Sequence, residues 1–225
     1  MPAIDDVWLD RERLKRTLVS EAVFAEGKSA DQIATIAERV AASGGRMLFT
    51  RLASEKFEAL RRDIRALLDY DPRSRTAVMG GNQTGELVRG RVCIVVAGTS
   101  DLPVALEADR ALHFHGYAPL LVLDVGVAGL WRLLDRIEEI RSHAVVIAVA
   151  GMEGALFSVL AGLVQSLVIA VPTSVGYGVG EKGAAALSSA LASCSPGIVT
   201  VNIDNGFGAA AAAIKVLGTA AASNG

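Results

Sequence analysis

Apolar and polar positions fall into two different rhythms along the chain. From about residue 90 onward, short apolar runs alternate with amphipathic ones. The runs at 92–97, 120–123, 144–149, 167–171 and 198–203 read as strands. Between them, Leu130, Leu133, Leu134, Ile137 and Ile140 recur at helical spacing. Residues 156–164 are amphipathic, 184–192 form a small-residue helix, and 209–217 form the closing one. Strands buried on both faces read as unbroken apolar runs. Their alternation with helices predicts a doubly wound parallel sheet.

The earlier part of the chain has a helical rhythm. Ser29-Ala30-Asp31-Gln32 has the form of a capping box. Ile33, Ile36, Ala37 and Val40 follow at helical spacing, and Gly44-Gly45 ends the helix. Residues 47–50 read as a strand. Ser54 opens another helix with Phe57, Leu60, Ile64, Leu67 and Leu68 on one face, stopped at Asp71-Pro72. Residues 1–80 hold 27 of the 46 charges, so composition shifts where Gly80-Gly81-Asn82-Gln83-Thr84-Gly85 intervenes. The expected organisation is a smaller, mostly helical domain over 1–80, a linker over 81–90 and an α/β domain over 91–225.

Each strand of the second domain ends in a glycine-rich or polar turn. These are Gly98-Thr99-Ser100-Asp101, Asp124-Val125-Gly126, Gly151-Met152-Glu153-Gly154, Thr173-Ser174-Val175-Gly176-Tyr177-Gly178 and Asp204-Asn205-Gly206. In a parallel sheet such turns gather at the carboxyl edge, where ligands of open α/β folds bind. Gly151 to Gly154 lead from a strand into a helix, whose first N–H groups suit an anion.

Composition narrows the classes. The hydrophobic content is 52% and the net charge −2, which argues against nucleic acid or an anionic membrane as partner. Cys93 and Cys194 are the only cysteines, which fits a reducing, cytoplasmic setting and provides neither a disulfide framework nor a zinc site. Asp5, Asp6, Asp10 and Arg11 interrupt any apolar leader. Residues 154–180 carry no charge, but Gln165, Ser166, Pro172 and the glycines leave their apolar pieces too short for one membrane helix.

Several residues could carry chemistry. Asp101 reads as a helix cap, while Thr99 and Ser100 beside it could touch phosphate or ribose. Asp124 ends a strand. Glu153 is the only charge between Arg141 and Glu181, and serves either the helix dipole or a ligand. Cys93 lies within a strand and reads as core. Cys194, in Ser193-Cys194-Ser195-Pro196-Gly197, is either a small buried residue or a nucleophile. Asp204-Asn205-Gly206 is either a tight turn or a ligand loop.

Together these motifs, extended to Leu102-Pro103-Val104-Ala105, Val127-Ala128-Gly129-Leu130, Ala155-Leu156 and Phe207-Gly208, resemble the LarB family. Gly27-Lys28 with Gln32, Thr50-Arg51, and Tyr70-Asp71-Pro72 with Arg75 extend the resemblance into the first domain. The second domain is also similar, more distantly, to the aminoimidazole ribonucleotide carboxylase/mutase domain. That likeness implies a flavodoxin-like three-layer α/β/α sandwich and a homo-octamer. The purine enzyme places a histidine in the loop after its second strand, where this chain has Asp124-Val125-Gly126. Trp131 stands where LarB members commonly have histidine, and Val179-Gly180-Glu181-Lys182-Gly183 also departs from the family pattern.

The resemblance implies synthesis of pyridinium-3,5-biscarboxylic acid mononucleotide and AMP from nicotinic acid adenine dinucleotide, CO2 and water. It implies Cys194 as nucleophile, with Glu153 or Asp124 handling a proton. The substrate would be bound by Gly98, Thr99, Ser100, Asp101, Gly126, Gly151, Met152, Gly154, Thr173, Ser174, Gly176, Tyr177, Gly178, Asp204, Asn205 and Gly206. No tightly bound cofactor is expected; Mg2+ could accompany the phosphates. The alternatives are the purine carboxylase/mutase and a nucleotide-binding module without catalysis.

Overall fold

A computed structural model describes residues 7–82 and 86–222. The chain forms two compact units, 1–83 and 84–225.

In the first unit, strands β1 (Ala22–Phe24), β2 (Met47–Thr50), β3 (Leu68–Asp71) and β4 (Thr76–Met79) make one sheet in the order β1-β2-β4-β3. Helices α1 (Arg13–Thr17), α2 (Ala30–Ala42), α3 (Ser54–Glu58) and α4 (Arg62–Arg65) accompany it. The capping box forms: Ser29 Oγ accepts from Gln32 N, and Gln32 Oε1 accepts from Ser29 N. Ile33, Ile36, Ala37 and Val40 bury the inner face of α2 against Phe49, Ala77 and Met79. This unit holds more sheet than its pattern predicts. The helix expected from Ser54 to Leu68 is two short helices, and Leu68 begins β3 instead. Tyr70 stacks on Phe57 with ring centroids 4.1 Å apart, tying strand to helix.

The second unit is a five-stranded parallel sheet with helices on both faces, the flavodoxin-like arrangement expected. Its strands are β5 (Val88–Val96), β6 (Tyr117–Val122), β7 (Val145–Ala150), β8 (Leu167–Pro172) and β9 (Ile198–Thr200), ordered β6-β5-β7-β8-β9. β5 begins within the stretch expected to be linker, pairing Val88 with Tyr117. Helices α5 (Leu102–Phe114) and α10 (Gly206–Ala222) cover one face. The other carries α6 (Leu130–Leu134), α7 (Ile137–Arg141), α8 (Ala155–Leu163) and α9 (Ala184–Ala192), whose Leu133, Ile140, Phe157 and Ala186 share a core with Val95 and Ala148. The stripe from Leu130 to Ile140 is broken into α6 and α7 at Asp135-Arg136, yet Leu133, Ile137 and Ile140 still face the sheet. Every residue of β7 is buried, as the apolar run requires of a central parallel strand.

Strand order reverses between β5 and β7. Their connections leave in opposite directions, which opens a crevice at the carboxyl edge.

Candidate functional site

A cleft of about 450 Å³ occupies that crevice. Its wall comes from four connections. Ala97 to Asp101 follow β5; Asp124, Gly126, Val127 and Ala128 follow β6. Ala150 to Leu156 follow β7, and Val175 follows β8. A single 3₁₀ turn over Thr99–Asp101 leads directly into α5. Helix α8 starts at the cleft with Gly154 as its left-handed N-cap and no side-chain cap, the kind of helix start that suits an anion.

Of the residues singled out in the sequence, Gly98, Thr99, Ser100, Asp101, Asp124, Gly126, Gly151, Met152, Glu153 and Gly154 meet in this cleft. Gly151 also has a packing contact that the sequence did not indicate. A Cβ there would lie 2.2 Å from Val175 O and 2.7 Å from Thr173 Oγ1, so the close approach is by the loop after β8. Met152 N donates to Val175 O at 2.8 Å, fastening that loop to the turn.

Asp101 is buried and belongs to the frame. Its carboxylate accepts from Gly98 N at 3.0 Å and from Thr173 Oγ1 at 2.6 Å. Burial raises its pKa above the usual carboxylate value; the hydrogen bonds from Thr173, Gly98 and Gly151 oppose that rise, and the charge of Asp204 adds to it. Asp204 in turn accepts from Ser174 N at 2.8 Å. Thr173, Ser174 and Asp204 therefore brace the edge of the sheet beside the cleft. The start of α10 is already occupied: Glu107, buried on α5, accepts from Gly206 N at 3.0 Å and Phe207 N at 3.3 Å, while Asn205 Oδ1 takes Gly208 N. Gly176, Tyr177 and Gly178 lie farther along the loop after β8, with Tyr177 78% exposed.

Cys194 is not among the lining residues. It is exposed in the loop between α9 and β9. Ser195 Oγ donates to Ser158 O, and Gly197 O accepts from Val168 N at the start of β8. The thiol therefore sits at the amino edge of the sheet. The five steps between the six residues of β8, at about 3.3 Å each, put roughly 16 Å between the two edges. Cys93 is fully buried in β5, and burial pushes its thiol up to about 12.

The charged side chains lining the cleft are Asp101, Asp124 and Glu153, all carboxylates. Glu153 is exposed, and among the described residues it has no ion-pair partner. Asp124 takes a cation that pattern reading did not single out: Arg132 Nη1 donates to Asp124 Oδ2 at 2.6 Å. No spacing rule links residues eight apart across a loop and a helix start, so only its place on the polar side of the Leu130–Leu133 stripe hinted at Arg132. Among the described residues, no group of three or more His, Cys, Asp and Glu side chains is placed to hold a metal ion, and no helix is long and apolar enough to cross a membrane.

Residues 3–81 match the LarB/PurE-like N-terminal domain, and residues 91–224 match AIR carboxylase. Uncharacterized protein MJ0165 of Methanocaldococcus jannaschii is 41% identical over 209 residues, covering 89% of this chain and 80% of that protein.

Proposed function

Because the chain belongs to the LarB family and its second unit is an AIR carboxylase domain, we propose that it carboxylates and hydrolyses nicotinic acid adenine dinucleotide. The products are pyridinium-3,5-biscarboxylic acid mononucleotide and AMP. The observation that carries this reading is the charge of the switch-point cleft. Of its three lining carboxylates, Asp124 is paired with Arg132 and Asp101 is tied into the frame, which leaves the exposed Glu153 as the charge that favours a cationic pyridinium over a neutral ring.

Mechanism follows from that ring. A pyridinium is too electron-poor to attack CO2. The Cys194 thiolate adds at the carbon para to nitrogen, giving a 1,4-dihydropyridine with an enamine. The free meta carbon attacks CO2 and the nitrogen lone pair becomes an iminium. A carboxylate, Glu153 or Asp124, accepts the meta proton. Expulsion of the thiolate then restores the aromatic ring, now with two carboxylates. This divides one hard step into easier ones. Water then cleaves the phosphoanhydride, and AMP leaves. Backbone N–H groups at the start of α8, with Thr99 and Ser100, would hold phosphate oxygens. Mg2+ would fit as a companion of the diphosphate, since it keeps several waters and needs only one or two protein carboxylates; Asp124 and Glu153 are the exposed ones.

Cys194 and the cleft of its own chain lie at opposite edges of the sheet. The reading therefore has the thiol of one copy enter the cleft of another, within a homo-oligomer. The loop at 124–129 lacks the histidine expected of the purine carboxylase, so nothing in the cleft favours that alternative.

The test is incubation with the dinucleotide and bicarbonate, followed by mass analysis. Wild-type protein should form the dicarboxylate and AMP. Cys194→Ala and Ser100→Asp should each form none, and subunits of the two variants assembled together should regain activity, because some mixed sites carry both the thiol and an intact cleft. Wild-type protein that yields no dicarboxylate, or Cys194→Ala at near wild-type rate, overturns the reading.

A further inference from the structure

Gly27-Lys28, singled out in the sequence, lies in the first unit and is not among the residues that line the cleft. It lines a different cavity. About 350 Å³ of space opens beside the edge strand β1, bounded by that strand, α2 and residues 7–9. Val23 and Ile36 supply apolar wall, and Phe24 and Trp8 contribute aromatic residues. Trp8 is 94% exposed and Phe24 50% exposed. The guanidinium of Arg51 lies over the Phe24 ring, 5.5 Å from its centroid, and fixes that ring on one side.

Two charged residues line this cavity, Glu21 and Lys28. Glu21 is already bonded, its Oε2 accepting from Asp10 N at 2.8 Å. The Lys28 ammonium has no ion-pair partner among the described residues. Gly27 keeps the space open. A Cβ there would meet nothing within 4 Å, and its φ is not positive, so neither packing nor backbone conformation requires glycine. A glycine the fold does not need, on the wall of a cavity, lets a ligand come close to the backbone.

We propose that this cavity is a separate binding site for a mononucleotide, with the base against Phe24 and Trp8 and the phosphate on Lys28. Apolar and aromatic walls with one convergent charge are typical of small-ligand sites, and a volume near the lower end of their range suits one nucleotide rather than two. Stacking on aromatic rings accepts any base, and the ammonium recognises phosphate as a point charge. The proposal does not depend on the reaction assigned to the cleft.

Fluorescence tests it on the full chain. The protein has two tryptophans, so Trp131→Phe leaves Trp8 alone to report. In that background AMP should quench Trp8 saturably as the base stacks on the indole. Adenosine, which has no phosphate, should bind about tenfold more weakly or worse, and Lys28→Gln should weaken AMP by the same factor, the size of a lost charge-assisted contact. Gly27→Leu should abolish the response by filling the cavity, with an unchanged urea midpoint because the new side chain enters open space. If that midpoint falls, Lys28→Gln decides alone. Ser100→Asp, which alters the cleft, should leave the response as it was. Absence of an AMP response in the Trp131→Phe protein overturns the proposal and leaves the reading of the cleft standing. A response that survives both Gly27→Leu and Lys28→Gln, or one lost in Ser100→Asp, also overturns it, because the nucleotide would then bind elsewhere. Adenosine as tight as AMP overturns the phosphate contact and with it the ligand class.

Discussion

Thr173 Oγ1 donates a 2.6 Å hydrogen bond to Asp101 Oδ1, and both side chains are buried. The bond links the turn after β5 to the loop after β8, passing over Gly151 at the end of β7. It sets the floor and one wall of the cleft from residues that belong to its frame. Thr173→Val removes the donor and leaves a buried carboxylate oxygen short of a partner, at a cost of about 1–3 kcal/mol. Urea denaturation should show that loss, and it should grow as pH rises, because the Thr173 hydrogen bond favours the ionised form of Asp101.

Asp101 also gives stability a pH dependence with a definite sign. Its pKa in the folded chain lies above the model value of 3.8, chiefly through burial. The folded state therefore binds the proton more readily than the unfolded one. The stability this contributes is present below the unfolded value and is lost as pH rises through the folded one. Relative to Asp101→Asn, the wild type should become less stable as pH is raised across that window, then run parallel above it. A difference that moves the other way between pH 4 and 7 would mean that the hydrogen bonds outweigh burial.

The two cysteines should separate cleanly by reactivity. Cys93 is fully buried, with its thiol pushed up to about 12, whereas Cys194 is exposed. Iodoacetamide should modify one thiol in the native protein and two in urea, and peptide mapping should place the first on Cys194. Cys93→Ala should cost on the order of 1 kcal/mol and little activity.

Glu107 reaches from α5 to the first N–H groups of α10, from buried surroundings. It adds to the local cap at the start of α10, where Asn205 Oδ1 accepts from Gly208 N. Glu107→Ala should cost about 2–3 kcal/mol, since buried donors lose their acceptor and a gap opens. Chemical denaturation of the variant measures it. A loss below about 0.5 kcal/mol would show that water replaces the carboxylate.

The parallel sheet was legible because burial on both faces leaves little choice but unbroken apolar runs, as in Val145 to Ala150. The short strands of the first unit were not. Ala22 to Phe24 is too short to show a period, and Leu68-Asp69-Tyr70-Asp71 alternates while its leucine also completes a helical stripe. The cleft was legible as turns after strands. Its charge was less so, because the Arg132–Asp124 pair depends on how α6 leaves its loop. The position of Cys194 was readable from connectivity: a residue after a helix and before a strand of a parallel sheet lies at the amino edge. The motif itself directs attention to the thiol and away from that topology.

On the proposed mechanism, that topology makes activity depend on assembly. Leu191 at the end of α9 is 71% exposed and Val199 on the edge strand β9 is 44% exposed, flanking Cys194 in sequence. Apolar side chains this exposed, beside a thiol that the proposed mechanism sends into another chain's cleft, would form part of a contact between copies. Specific activity should then fall on dilution through the concentration at which light scattering reports dissociation. Leu191→Asp should lower both assembly and activity while leaving the circular dichroism spectrum unchanged, because that side chain takes no part in the core. A protein that scatters as a monomer at micromolar concentration and retains full specific activity would show that each chain supplies its own nucleophile.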